Sequence, residues 1–126
     1  MNADHKLSEI RQIAITVSDV GVALPFYRDV LGLTFLFSPS PTLAFLAAGG
    51  VRLMLTTPHG SGAVGQNSIL YFKVTDIEAA HAAIVGRGAK NERGPQLLAK
   101  MPDHDLWGAF LRDPDGNLIG LMEEKR

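Results

Sequence analysis

Gln12-Ile13-Ala14-Ile15-Thr16-Val17-Ser18-Asp19-Val20 decides the fold, because its hydrophobic period changes partway along. Ile13, Ile15 and Val17 alternate with Gln12, Ala14 and Thr16, the pattern of a strand with two unlike faces. Ser18-Asp19 then offers a helix N-cap, and Val20, Ala23, Leu24, Tyr27, Val30 and Leu31 recur at helical spacing until Gly32 supplies a stop. Pro25 falls in the first turns of that helix, where a missing N–H costs least. The same junction returns as Val74-Thr75-Asp76-Ile77, opening a second helix that runs to Gly86.

Outward from these junctions the chain reads as short strands between turn residues: Leu33 to Phe37, Thr42 to Leu46 and Val51 to Thr57 after the first helix. Residues 58–67 are a polar, glycine-rich linker without period, and a strand resumes over residues 68–75. Gly50-Val51-Arg52-Leu53-Met54-Leu55 matches Gly116-Asn117-Leu118-Ile119-Gly120-Leu121, and the extra length of the second half is expected as a loop over residues 96–106. The prediction is a single α+β domain over residues 1–126. It is built of paired βαβββ modules, one over residues 10–57 and the other over residues 68–123, with eight strands curled around a cleft and two main helices.

Composition narrows the function. The 126 residues carry 12 basic and 13 acidic side chains, a formal net charge of −1, so the basic footprint of a nucleic-acid binder is absent. No apolar run approaches a membrane span and the first residues lack a signal-peptide core, so a cytoplasmic protein without membrane contact is expected. With no cysteine, disulfides, thiolate metal sites and cysteine nucleophiles are excluded together.

With Gln12 to Asp19, two further stretches, Phe26-Tyr27-Arg28-Asp29-Val30-Leu31-Gly32-Leu33 and Leu111-Arg112-Asp113-Pro114-Asp115-Gly116-Asn117, make the chain resemble the vicinal oxygen chelate superfamily. That group includes glyoxalases, bleomycin-resistance proteins and extradiol dioxygenases. The resemblance implies a cleft between curled sheets in which metal-dependent members hold a divalent ion through four His, Glu or Gln side chains. Those four positions fall here on Gln12, Met54, Ile69 and Gly120. A thioether, an isoleucine and a glycine cannot neutralise or orient a hard cation beside one neutral amide, so no metal and no cofactor are expected. Glyoxalase and dioxygenase chemistry then lose their Lewis acid. The cleft floor becomes apolar and suited to a small, partly apolar organic ligand.

The alternation places Gln12, Ala14, Thr16, Ile69, Tyr71 and Lys73 toward the cleft and Ile13, Ile15, Leu70, Phe72 and Val74 under the helices. Gln12, Thr16, Arg52, Met54, Ile69, Tyr71, Trp107 and Gly120 are the candidate ligand-binding residues. Tyr71 and Arg52 offer a hydroxyl and a charged fork, against the plainer readings of filler and solvated rim. Trp107 alternatively plugs a sheet edge or a dimer contact. In Met101-Pro102-Asp103-His104-Asp105, His104 between two carboxylates is the one catalytic candidate, against ordinary turn chemistry.

Three signals carry no function. Gly60-Ser61-Gly62-Ala63-Val64-Gly65 fits a dinucleotide pattern but precedes a strand instead of a helix. His59 and His81 lack a partner at metal-ligand spacing, and Ser61 is in no nucleophile elbow. The expectation is a metal-free small-molecule-binding protein that pairs as a homodimer. Its rivals are a metal-dependent lyase, isomerase or dioxygenase with ligands elsewhere, a metal-free catalyst using His104, and an interaction module with a filled cleft.

Overall fold

A computed structural model describes residues 5–58 and 62–126 of the chain. In chain order the elements are β1 (Gln12–Thr16), α1 (Val20–Pro25) continuing as a π-helical turn (Phe26–Val30), β2 (Thr34–Ser40), β3 (Leu43–Ala48) and β4 (Val51–Thr56). They are followed by β5 (Leu70–Lys73), α2 (Ile77–Gly86), β6 (Lys90–Lys100), β7 (Asp105–Arg112) and β8 (Leu118–Lys125). Eight strands form two four-stranded sheets in the orders β1-β4-β3-β2 and β5-β8-β7-β6. In each, the first strand runs parallel to the last and the other neighbours are antiparallel. Two copies of one βαβββ unit are therefore present.

Local chemistry accounts for the repeat. Asp19 caps α1 by accepting from the Gly21 N–H at 2.8 Å, and Asp76 caps α2 by accepting from the Ala79 N–H at 3.1 Å. Glu123 of β8 takes a further free donor of α2, the Ile77 N–H, at 2.9 Å. The first helix departs from the simple expectation at Pro25, where it widens to π geometry and the Leu31 N–H reaches the Phe26 carbonyl at 2.9 Å. Proline has no N–H for the preceding turn and its ring crowds the carbonyl there, so the helix survives by loosening. The extra length of the second unit is not a loop: it becomes the eleven-residue strand β6, whose pairing to β7 shifts register three times.

One face of each sheet is buried beneath its helix. Ile15, Leu46, Leu53 and Leu55 of the first sheet, Leu111, Ile119 and Leu121 of the second, and Val20, Tyr27, Ile77 and Ile84 of the helices form a single core. Ile13, Leu70, Phe72 and Val74 pack against it. The alternation from Gln12 to Val17 thus sets the helix-covered face as expected, and the opposite faces are left uncovered in the single chain. Phe37 is 47% and Tyr71 49% exposed there.

A polar network fastens the two units. Thr16 in the edge strand β1 has no strand neighbour on its open side, and the Asn67 side chain stands in for one. Its Oδ1 accepts from the Thr16 N–H at 3.1 Å and its Nδ2 donates to the Thr16 carbonyl at 3.2 Å. Asn67 Nδ2 also donates to Asn117 Oδ1 at 2.8 Å, and Asn117 Nδ2 to Asp113 Oδ2 at 2.8 Å. Asp113 is the hub. Its Oδ2 accepts from the Tyr27 hydroxyl at 2.7 Å and its Oδ1 from the N–H groups of Asp115 and Asn117 at 2.9 and 2.8 Å. Burial, and secondarily the Asp113 carboxylate, push the Tyr27 phenol far above its ordinary range, so it stays a neutral donor. Gly116, at φ +83°, closes the turn that shapes this carboxylate cage.

Candidate functional site

The parallel pairing of β1 with β4 places Gln12 beside Arg52 and Ala14 beside Met54, all on the helix-free face. Three of the expected residues meet there. Arg52 Nε donates to Gln12 Oε1 at 2.7 Å, and Gln12 Nε2 approaches the Met54 sulfur at 3.7 Å. The Arg52 guanidinium lies 5.3 Å from the Phe45 ring centroid, and Phe45 stacks on Phe37 with centroids 4.7 Å apart. The row Phe37, Phe45, Arg52, Gln12 and Met54 therefore crosses the whole sheet. Phe37 and Phe45 are members that alternation along β2 and β3 would have offered.

The second sheet has its own cluster. Tyr71 pairs with Gly120, which pairs in turn with Phe110. The Tyr71 ring meets Phe110 edge-on at 5.7 Å and lies over Gly120 so closely that a Cβ there would stand 2.7 Å from Tyr71 Cδ2. Tyr71 thus occupies the space an acidic side chain at position 120 would need. Ile69 precedes β5 and is 43% exposed. Thr16 is buried and turned to the Asn67 junction through its backbone.

Trp107 stands apart from both clusters. It is on the helix-covered side of β7 with Ala109 and Leu111, packs against the core, and carries the Lys125 ammonium 4.5 Å above its ring. Strand alternation puts it on the opposite face from Phe110 and Gly108, so it does not share a surface with Tyr71 and Gly120. His104 sits in the β6–β7 turn. Its Nδ1 bonds Asp103 Oδ1 at 2.7 Å and its Nε2 is 4.0 Å from Glu124 Oε2. Both ring nitrogens face carboxylates, and the Met101 N–H donates to the His104 carbonyl at 2.8 Å, so the residue ties the turn to β8. The His104 hydrogen bond holds the exposed Asp103 carboxyl below its usual range. His81 bonds Asn91 at 2.8 Å across α2 and β6. His59 and the Gly60-Ser61 part of the glycine stretch lie outside the described residues.

A groove of about 570 Å³ opens along the free edge of β5 and the open end of the first sheet. It is lined mainly by apolar side chains, among them Ile13, Leu33, Leu53, Ile69 and Phe72, with Tyr71 and Lys73 as polar exceptions. Its size is in the range of small-molecule sites. Beyond the β3–β4 turn, and sharing Gly49 and Val51 with it, lies a second depression of about 240 Å³ flanked by Arg11 and Arg52.

No group of three or more His, Asp or Glu side chains suited to a metal ion occurs among the described residues. At Gln12, Met54, Ile69 and Gly120, the positions that the resemblance assigns to metal ligands, the side chains do not fit a divalent ion: the one side-chain oxygen among them, Gln12 Oε1, is taken by a guanidinium, and Met54 flanks it.

The two βαβββ units, with their parallel β1–β4 and β5–β8 pairs, define a protein of the glyoxalase type. The chain matches the Glyoxalase/Bleomycin resistance protein/Dioxygenase superfamily over residues 9–121 and belongs to it. Virulence protein STM3117 of Salmonella typhimurium strain LT2 is 25% identical over 123 residues, covering 93% of this chain and 85% of that protein. Its crystal structure superposes with a TM-score of 0.76 over 94% of this chain and 98% of that one. Lactoylglutathione lyase from Agrobacterium tumefaciens, 25% identical, gives a TM-score of 0.74 over 93% of this chain and 94% of that one. TnmS3, an antibiotic binding protein from Streptomyces sp. CB03234, shares the fold at 24% identity, with a TM-score of 0.77 over 94% and 98% of the two chains.

Proposed function

We propose that this protein is a metal-independent member of its superfamily that binds a small, partly apolar organic molecule on the helix-free sheet faces and the adjoining groove. The observation that carries the reading is the Arg52 to Gln12 hydrogen bond of 2.7 Å. It commits the only oxygen donor among positions 12, 54, 69 and 120 to a cation already present. The apolar groove with Tyr71 and Lys73 as its polar members, and Arg52 in the depression that adjoins it, suit recognition of a partly apolar molecule. A metal-dependent lyase is the second reading, favoured by the likeness to lactoylglutathione lyase; it requires ligands that positions 54, 69 and 120 do not supply.

The uncovered faces also favour a homodimer. Phe37, Tyr71 and Leu98 are 47%, 49% and 40% exposed, and a second copy would cover them while enclosing the ligand between one sheet of each chain. We place the protein in the cytoplasm without nucleic-acid partners on its near-neutral charge; among the described residues no helix is long and apolar enough to cross a membrane. Native mass spectrometry of protein expressed in cell culture and purified without chelator tests this directly. The expected result is a dimer releasing a small organic molecule whose retention is unaffected by EDTA. Loss of the bound molecule on EDTA treatment would overturn metal independence.

A further inference from the structure

We propose that the molecule bound on the first sheet is an organic oxyanion, received by the Arg52 guanidinium with Arg11 beside it, and that an aromatic or apolar body lies against Phe37 and Phe45. This rests on the small-molecule reading above and names its ligand class.

The first support is how Arg52 is held. Its Nε is spent on Gln12 Oε1 at 2.7 Å and its plane rests near the Phe45 ring, 5.3 Å from the centroid. The side of the fork that usually grips a carboxylate is therefore occupied, and the end-on pair of terminal nitrogens is left with no acceptor among the described residues. Two parallel N–H groups in a fixed plane match the two oxygens of a carboxylate or phosphate. Because Gln12 and Phe45 already restrict the side chain, little rotamer entropy remains to be lost on binding.

The second is charge. Neither Arg52 nor Arg11 is ion-paired with a carboxylate among the described residues. The helix-free face of β1, β3 and β4 carries Gln12, Thr16, Phe45, Met54 and Thr56 around Arg52, with no acidic residue. A half-buried cation on an apolar sheet without a counter-charge attracts an anion. A large cationic ligand, which needs an acidic cleft, is disfavoured by the same arrangement.

The third is continuity. The depression flanked by Arg11 and Arg52 meets the 570 Å³ apolar groove at Gly49 and Val51, and Phe37 stacks on Phe45 beside it. An oxyanion at Arg52 thus has apolar surface within reach of a ring-sized body on either side.

The test titrates ¹⁵N-labelled protein with 2-naphthoate, 2-naphthyl phosphate, neutral 2-naphthalenemethanol and cationic 2-naphthylmethylamine, following the Arg52 Nε–H resonance and backbone shifts. The wild type is expected to bind one of the two anions at least tenfold more tightly than the alcohol, with the amine weakest. Whichever anion is tighter identifies the oxyanion as carboxylate or phosphate. Arg52→Gln should abolish the preference and leave the alcohol's affinity within about twofold, while Arg28→Gln, which removes the same charge from the helix surface, should change nothing. Equal binding of anion and alcohol, or a preference that persists in Arg52→Gln, overturns the oxyanion inference and leaves the small-molecule reading standing. Absence of shifts with all four probes at 10 mM overturns both.

Discussion

Replacing Asp113 by alanine should cost about 3–5 kcal/mol of unfolding free energy. The carboxylate is 5% exposed and accepts four hydrogen bonds, from the Tyr27 hydroxyl, the Asp115 and Asn117 N–H groups and Asn117 Nδ2, at 2.7–2.9 Å. Alanine strands the Tyr27 hydroxyl and both Asn117 donors, each costing about 1–3 kcal/mol when buried without a partner. The turn at Asp115 is near the surface, so water recovers part of the loss, which sets the total in the lower part of the summed range. Against a domain stability of about 5–15 kcal/mol this is a large fraction. Urea unfolding followed by far-UV circular dichroism, at fixed protein concentration, measures it. A cycle with Tyr27→Phe should give a coupling of about 1.5–3 kcal/mol, the range for a hydrogen bond to a charged group. A cost below about 1 kcal/mol for Asp113→Ala at unchanged m-value, or additivity in the cycle, would refute the view that this carboxylate joins the two units.

Alkaline titration isolates Tyr27. Its folded pKa lies above the unfolded value of about 10, chiefly through burial, so its contribution is complete below pH 10 and is lost as pH rises beyond it. Stability should fall by an extra ~1.4 kcal/mol per pH unit above pH 10 relative to Tyr27→Phe, and parallel profiles would count against it. Gly120→Ala should cost at most about 1.5 kcal/mol, because the 2.7 Å clash is relieved by swinging the half-exposed Tyr71 ring off Phe110. Loss of the ring-current shifts between Tyr71 and Phe110 checks the cause. His104→Ala should lower stability by no more than about 1 kcal/mol, since its partner Asp103 is exposed; a loss above 2 kcal/mol in urea unfolding would mean the ring does more than tie a turn.

The frame of the fold could be read from the chain because its signals are local. Ile13, Ile15 and Val17 set a face by alternation, Asp19 and Asp76 start helices by capping, and the recurrence of that junction shows two units. What joins the units could not be read in the same way. Tyr27 and Asp113 are 86 residues apart, and each sits in a stretch recognisable as a family mark without any hint that the two bond. Asn67 gave no signal because a loop amide pairing with a strand edge has no sequence period. At the site, the parallel pairing of β1 and β4 puts Gln12 next to Arg52, so residues proposed for separate reasons form one unit. Trp107 shows the converse: rarity made it conspicuous, while its place beside Ala109 and Leu111 on the covered face follows from alternation alone. The stretch from Gln96 to Leu106 reads as a loop because it is extra length that the first half lacks, yet the register shifts between β6 and β7 let the strands absorb most of it.

On the proposed reading the Gln12 oxygen serves a guanidinium and not a metal ion. Elemental analysis of protein purified without chelator, together with melting temperatures in zinc, nickel, manganese and magnesium, addresses it most directly. The expected result is well under ~0.1 equivalent of any divalent ion per chain and no metal-specific rise in melting temperature. One equivalent of a divalent ion, lost in Gln12→Ala, would contradict it.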